Sequence, residues 1–232
     1  MENIFSKLYR QQIEDPVENL LPKLDLVSSK NWLKRSKNEF RKKLDSRFNG
    51  PITSSNWVIE NVLLVGGFPT GIESFRAIQA VGINTFVCLN GMDKYEFYNY
   101  EYNLSEDQFI HVPIEDMGVT DDAIVLELCE NIAKRILDGD TVYIHCAGGH
   151  GRTGVITAIV LHVLYPYLTY EQIINYIQFV HDNRDGCYGS KLYCHRIEDP
   201  ELANCFALGQ VPVPQVTIQR EQVRRIMEEF ID

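Results

Sequence analysis

The sequence predicts an α/β domain with a central, mostly parallel sheet and helices on both of its faces. Three observations predict it. From residue 56 onward, apolar runs of strand length alternate with helical patterns, and such alternation needs crossover connections that cover both faces of a parallel sheet. A glycine-rich turn lies directly between one of these strands and the following helix, the place where open sheets of this kind carry their sites. A hydrophobic share of 45% and a charged share of 23% over 232 residues are enough for one ordinary core plus some additional chain.

The elements follow in order. Residues 1–50 are expected to be a basic leader, helical and packed on the domain formed by 51–232. Between Lys30 and Lys43 seven basic residues meet one acid, Glu39, and Asn49-Gly50-Pro51 then breaks the chain. The charged face is expected to be solvated while Trp32, Leu33, Phe40 and Leu44 pack inward; docking to an acidic partner or anionic surface is the alternative. Strands are expected at 62–65, 85–89, 110–114 and 141–145, and helices at 71–81, 121–138, 152–164, 169–180 and 219–231. Thr169 and Gln172 form a capping box ahead of Ile173, Ile177 and Val180, and Gly139 stands just past a helix end. Val223, Ile226, Met227 and Phe230 make one apolar face.

Composition excludes several classes. No run approaches the ~18 apolar residues of a spanning helix, since the best stretch, 155–161, already holds Thr157. The first seven residues lack the pattern of a secretory signal, so a cytoplasmic or nuclear location is expected. Six cysteines lie far apart, at 88, 129, 146, 187, 194 and 205, as reduced thiols do, leaving one able to act as a thiolate. The spacing of Cys187, Cys194, His195 and Cys205 is too irregular to read as a zinc site. Net charge is −10, yet residues 1–50 hold eleven basic against seven acidic residues, which leaves −14 on the rest. An acidic body argues against nucleic acid as the partner.

The segment that carries chemistry is His145-Cys146-Ala147-Gly148-Gly149-His150-Gly151-Arg152-Thr153-Gly154. Small residues between Cys146 and Arg152 let the backbone curl so that successive N–H groups face an anion, with the positive end of the next helix behind them. A phosphate suits that cradle. The same field favours the thiolate of Cys146, and the planar fork of Arg152 suits two charge-assisted bonds to a phosphoryl group.

At every defined position this stretch resembles the signature of the protein-tyrosine-phosphatase superfamily: His-Cys, two residues, Gly, two residues, Arg, Thr or Ser, Gly. The layout is closest to the compact, atypical dual-specificity phosphatases, and the resemblance runs from about Trp57 to Phe230. It implies a phosphatase domain in which Cys146 is the nucleophile, Arg152 the clamp, and Ala147, Gly148, Gly149, His150 and Gly151 the phosphate-binding loop. It also implies that His145 orients the loop, that Thr153 donates its hydroxyl to the sulfur, and that His150 stands at the pocket wall. The segment His111-Val112-Pro113-Ile114-Glu115-Asp116-Met117-Gly118 resembles the general-acid loop and points to Asp116, with Glu115 as the competitor; the Pro common just after that acid is missing. Gln219, in a stretch similar to a late glutamine motif, is the candidate for positioning the hydrolytic water.

The expected reaction is metal-free and cofactor-free hydrolysis of phosphate monoesters through a cysteinyl-phosphate. Phosphotyrosine in proteins is the default substrate, with phosphoserine and phosphothreonine accessible to a shallow pocket. Inositol phosphates are the alternative, although Ala147, Gly149 and His150 add no Lys or Arg for a polyanion. A phospho-binding module without turnover would show a damaged Cys, Arg or acid, and none is damaged. Low-molecular-weight phosphatases and arsenate reductases share the Cys-to-Arg spacing but place the loop after the first strand.

Overall fold

A computed structural model describes residues 46–91, 104–184, 187, 197–207 and 209–229. Most of the expected leader, the tyrosines at 95–102, Cys194, His195 and the end of the last helix lie outside the described residues. The sheet has five strands, β1 (Ser55–Ile59), β2 (Leu63–Gly66), β3 (Thr85–Cys88), β4 (Phe109–His111) and β5 (Val142–His145), in the order β1-β2-β5-β3-β4. β1 pairs antiparallel with β2 and the remaining pairs are parallel. All four expected strands are present. β1 was not expected, because its five residues are all buried and show no alternation to read. A positive φ of 58° at Asn61 turns this edge strand back onto β2, a backbone region that Asn tolerates better than most residues.

Pleating divides the core. Leu64, Phe86 and Tyr143 point to the face covered by α1 (Gly71–Ala80), where Phe75 and Ile78 are buried. Leu63, Val65, Val87 and Ile144 point to the other face, which packs against α2 (Asp122–Leu137), α3 (Gly151–Leu164), α4 (Tyr170–His181) and α6 (Thr217–Glu229). Helices thus cover both faces as expected. α3 is buried on nearly every side, as a helix apolar all round must be. The Thr169–Gln172 capping box forms in both directions, and Asp121 caps α2 by accepting the Ala123 N–H at 2.9 Å.

A sixth helix, α5 (Pro200–Ala207), was not among the helices expected from the sequence. Asp199 caps it, its Oδ1 accepting from the N–H of Glu201 (2.8 Å) and Leu202 (3.1 Å), and Pro200 begins it. Phe48 is 5% exposed and stands edge-on to Phe179 at 5.7 Å, so this one side chain packs on the domain. Among the described residues no helix is long and apolar enough to cross a membrane.

Candidate active site

β5 is the central strand, with Gly66 of β2 and Cys88 of β3 both in register with His145 at its end. Cys146 therefore leaves the sheet between two neighbours. The loop after it is shaped by close contact with β2: Gly149 has φ +75°, and a Cβ there would sit 2.2 Å from the Gly66 carbonyl carbon. Phe68 N–H donates to the Ala147 carbonyl (3.0 Å), tying the loop to the chain after β2. The consequence is geometric. The Gly149 N–H points at Cys146 Sγ, 3.2 Å away, and the sulfur is a free thiol at the bottom of the loop, 3% exposed.

His145 is fully buried and stacked on Tyr143 (5.4 Å, 23°), with Phe68 edge-on (5.6 Å). Its Nδ1 lies 3.4 Å from the Cys146 carbonyl oxygen, and burial pushes its pKa down to about 3. A neutral ring thus holds the start of the loop. Thr153 is buried beneath, and its hydroxyl makes no hydrogen bond to the sulfur or to another described group.

Arg152 starts α3 and is 5% exposed. Its Nη1 donates to the Ile114 carbonyl (2.9 Å) and its Nη2 to Asp116 Oδ1 (2.8 Å). Between the two adjacent carboxylates, Asp116 is the one this guanidinium holds. The Asp116 side chain is 58% exposed while that of Arg152 is 6% exposed, so the pair spans the site from its floor to its mouth.

The acid loop turns at Met117, φ 64°, with Gly118 N–H donating to the Glu115 carbonyl (3.0 Å). Gln219 fixes this turn where the missing proline would have stiffened it. Its Nε2 donates to the Gly118 carbonyl (3.0 Å), its Oε1 accepts from Val216 N–H (3.3 Å), and a Cβ on Gly151 would meet that oxygen at 2.6 Å. Gln219 is completely buried with both ends of its amide engaged, so it braces the acid loop against the phosphate loop.

His150 lies beside Gly148, where an added Cβ would meet its ring at 2.8 Å. Its Nε2 is 2.8 Å from Cys187 Sγ and its ring stands edge-on to His181 at 5.2 Å. Ala147 and Gly148 are the exposed members of the loop. Sequence reasoning missed Arg184 entirely. It is 5% exposed, its Nε donates to Asn56 Oδ1 (2.6 Å) and its Nη1 to the Gly148 carbonyl (3.3 Å), so a buried cation holds the loop from behind. No local pattern marks an arginine for such a place. A separate hollow lined by Tyr170, Gln178, Asp199 and Arg220 shares no residue with the loop.

Residues 53–172 match the family described as PTP-SAK, the DSP-PTPase phosphatase domain of a Swiss Army Knife protein. Putative tyrosine phosphatase 197R of Invertebrate iridescent virus 6 is 32% identical over 105 residues, covering 44% of this chain and 39% of that protein. Putative tyrosine phosphatase 067L of Invertebrate iridescent virus 3 is 25% identical over 114 residues, 47% and 46% of the two chains. The chain thus matches less than half the length of these relatives. Its fold is similar to the crystal structure of Tk-PTP in the active form, with a TM-score of 0.51 and 19% identity over 76% of this chain and 98% of that one. The family match spans more than half of the chain and includes both the loop from Cys146 to Arg152 and Asp116; the chain belongs to the DSP-PTPase phosphatase domain family.

Proposed function

We propose that this domain hydrolyses phosphate monoesters, chiefly phosphotyrosine in proteins and also phosphoserine or phosphothreonine, by way of a cysteinyl-phosphate. The observation that carries the reading is the pair of contacts made by one loop: an amide on the Cys146 sulfur at its floor, and the Arg152 guanidinium gripping Asp116. In the first step the Cys146 thiolate attacks phosphorus, the S–P bond forms, the P–O bond to the leaving group breaks, and Asp116 gives that oxygen its proton. In the second, water attacks phosphorus while Asp116 takes its proton, the S–P bond breaks, and phosphate and thiolate are released. The amides and Arg152 stabilise the charge that builds on the equatorial oxygens.

The pairing of Arg152 with Asp116 supports an ordered exchange. A phosphoryl group carries more charge than a carboxylate and takes the Nη2 arm, which releases Asp116 toward the leaving oxygen, where it takes from the incoming phosphate monoanion the proton it then donates. Nη1 remains on the Ile114 carbonyl and keeps the fork in plane. Thiolate chemistry suits the reducing cytosol or nucleus.

The test is hydrolysis of an aryl phosphate in the presence of a chelator, followed by phosphotyrosine peptides beside inositol phosphates. Cys146→Ser should lower turnover by at least ~10³-fold, and Asp116→Ala should lower kcat by ~10²–10⁴-fold. Retained hydrolysis in Cys146→Ser would remove the reading, and preference for inositol phosphates would redirect its substrate.

A further inference from the structure

His150, His181 and Cys187 come together from three separate parts of the chain: the phosphate loop, the end of α4, and the segment beyond Arg184. Cys187 Sγ is 2.8 Å from His150 Nε2 and 3.3 Å from His181 Nε2. One potential ligand atom from each residue falls within 4.8 Å of the others, and the group is half-buried. In a tetrahedral site the zinc bond lengths imply S···N separations of about 3.6 Å and N···N of about 3.3 Å. To reach them Cys187 Sγ must withdraw from His150 Nε2 by about 0.8 Å and from His181 Nε2 by about 0.3 Å, with both nitrogens staying within the 4.8 Å that already encloses the group. One thiolate and two imidazoles are a donor set that selects zinc-class cations over magnesium or calcium.

The far side of the His181 ring is already held. His181 Nδ1 lies 3.2 Å from Asp182 Oδ1, and Asp182 is in turn held by Gln178 Nε2 (2.9 Å) and Gln210 Nε2 (3.0 Å). A carboxylate on the far nitrogen fixes the ring and its tautomer, leaving Nε2 aimed at the cluster, which is the arrangement that metal-bound histidines adopt. Arg184 is the cation that works against a metal here; its Nε and Nη1 already donate to Asn56 and Gly148, and the Cys187 thiolate offsets part of the added charge.

We propose that His150, His181 and Cys187 form a site for one zinc-class cation, with a water in the fourth position, that ties the phosphate loop to the chain after α4. Metal binding displaces the thiol proton. The site is distinct from the catalytic sulfur and does not depend on the proposed reaction.

Titration of the full chain with Co2+, followed by competition with Zn2+, tests it through the thiolate-to-cobalt charge-transfer band. The wild type and Cys146→Ser should each bind one cobalt with that band. Cys187→Ser should lose the band and bind zinc at least ~100-fold more weakly, beyond what loss of an outer-shell partner costs, while keeping wild-type metal-free hydrolysis and circular dichroism. A band that survives in Cys187→Ser, a band lost only in Cys146→Ser, or no stoichiometric binding in the wild type would overturn the proposal and leave a thiol–imidazole hydrogen-bond cluster only.

Discussion

Gly149 shows at the scale of one residue why the phosphate loop needs glycine where it stands. The position requires both a positive φ and backbone contact with Gly66 and Gly67, so a methyl group has nowhere to go. Gly149→Ala should cost more than ~2 kcal/mol in denaturant unfolding, adding steric overlap to left-handed strain, and should lose hydrolysis with it. Gly148 is different, because its φ is not positive and an added Cβ there meets no backbone, only the His150 ring at 2.8 Å; Gly148→Ala should cost less stability than Gly149→Ala. Asp116 offers a sharper test of the Arg152 exchange. If its carboxylate competes with phosphate for Nη2, Asp116→Asn should bind inorganic phosphate more tightly than the wild type, read as a lower inhibition constant, even as kcat falls. His145 sets a pH dependence whose sign is fixed by burial. Its folded pKa of about 3 lies below the ordinary 6.5, so its contribution is fully present above pH 6.5 and is lost as pH falls toward 3. At pH 5 the loss is about 2 kcal/mol, and His145→Asn should show a shallower decline in thermal stability between pH 7.5 and 5 than the wild type.

The element scale shows where sequence reading succeeds and where it stops. The four parallel strands, the capping box at Thr169 and the strand–loop–helix turn at Cys146 were legible because each is encoded within a few neighbouring residues. β1 was not, since an all-buried edge strand carries no alternation, and α5 was passed over although Asp199 and Pro200 mark its start. Asp116 was picked over Glu115 on the resemblance of 111–118 to a general-acid loop, while its contact with Arg152 spans 36 residues of chain and leaves no local pattern. Gln219 was visible and its task was not: it joins the start of α6 to the acid loop across 101 residues of chain. Gln219→Ala leaves the Gly118 carbonyl and Val216 N–H without this amide, a loss of about 1–3 kcal/mol in stability. It should lower kcat more than it raises KM, by about tenfold or more, because the acid is then loosely placed; an unchanged kcat would show that the acid loop stands without it.

Across the whole molecule, the site is completed by chain far from the matched family segment. Residues 53–172 contain Cys146, Arg152 and Asp116, while Arg184 and Gln219 reach the same loops from beyond it. Such long-range support leaves no local pattern, which is why Arg184 went unseen. Arg184→Met should destabilise the fold by a few kcal/mol, as removing one partner of a buried hydrogen-bonded charge does, and should loosen the loop at Gly148. The measurement that bears most directly on the central claim is rapid acid quench of the enzyme with an aryl phosphate, followed by mass spectrometry of the peptide that carries Cys146. A phosphoryl group on Cys146, appearing in a burst stoichiometric with enzyme and absent from Cys146→Ser, is the predicted result. Steady turnover with no phosphoryl group on that peptide, or with the group on another residue, would contradict it.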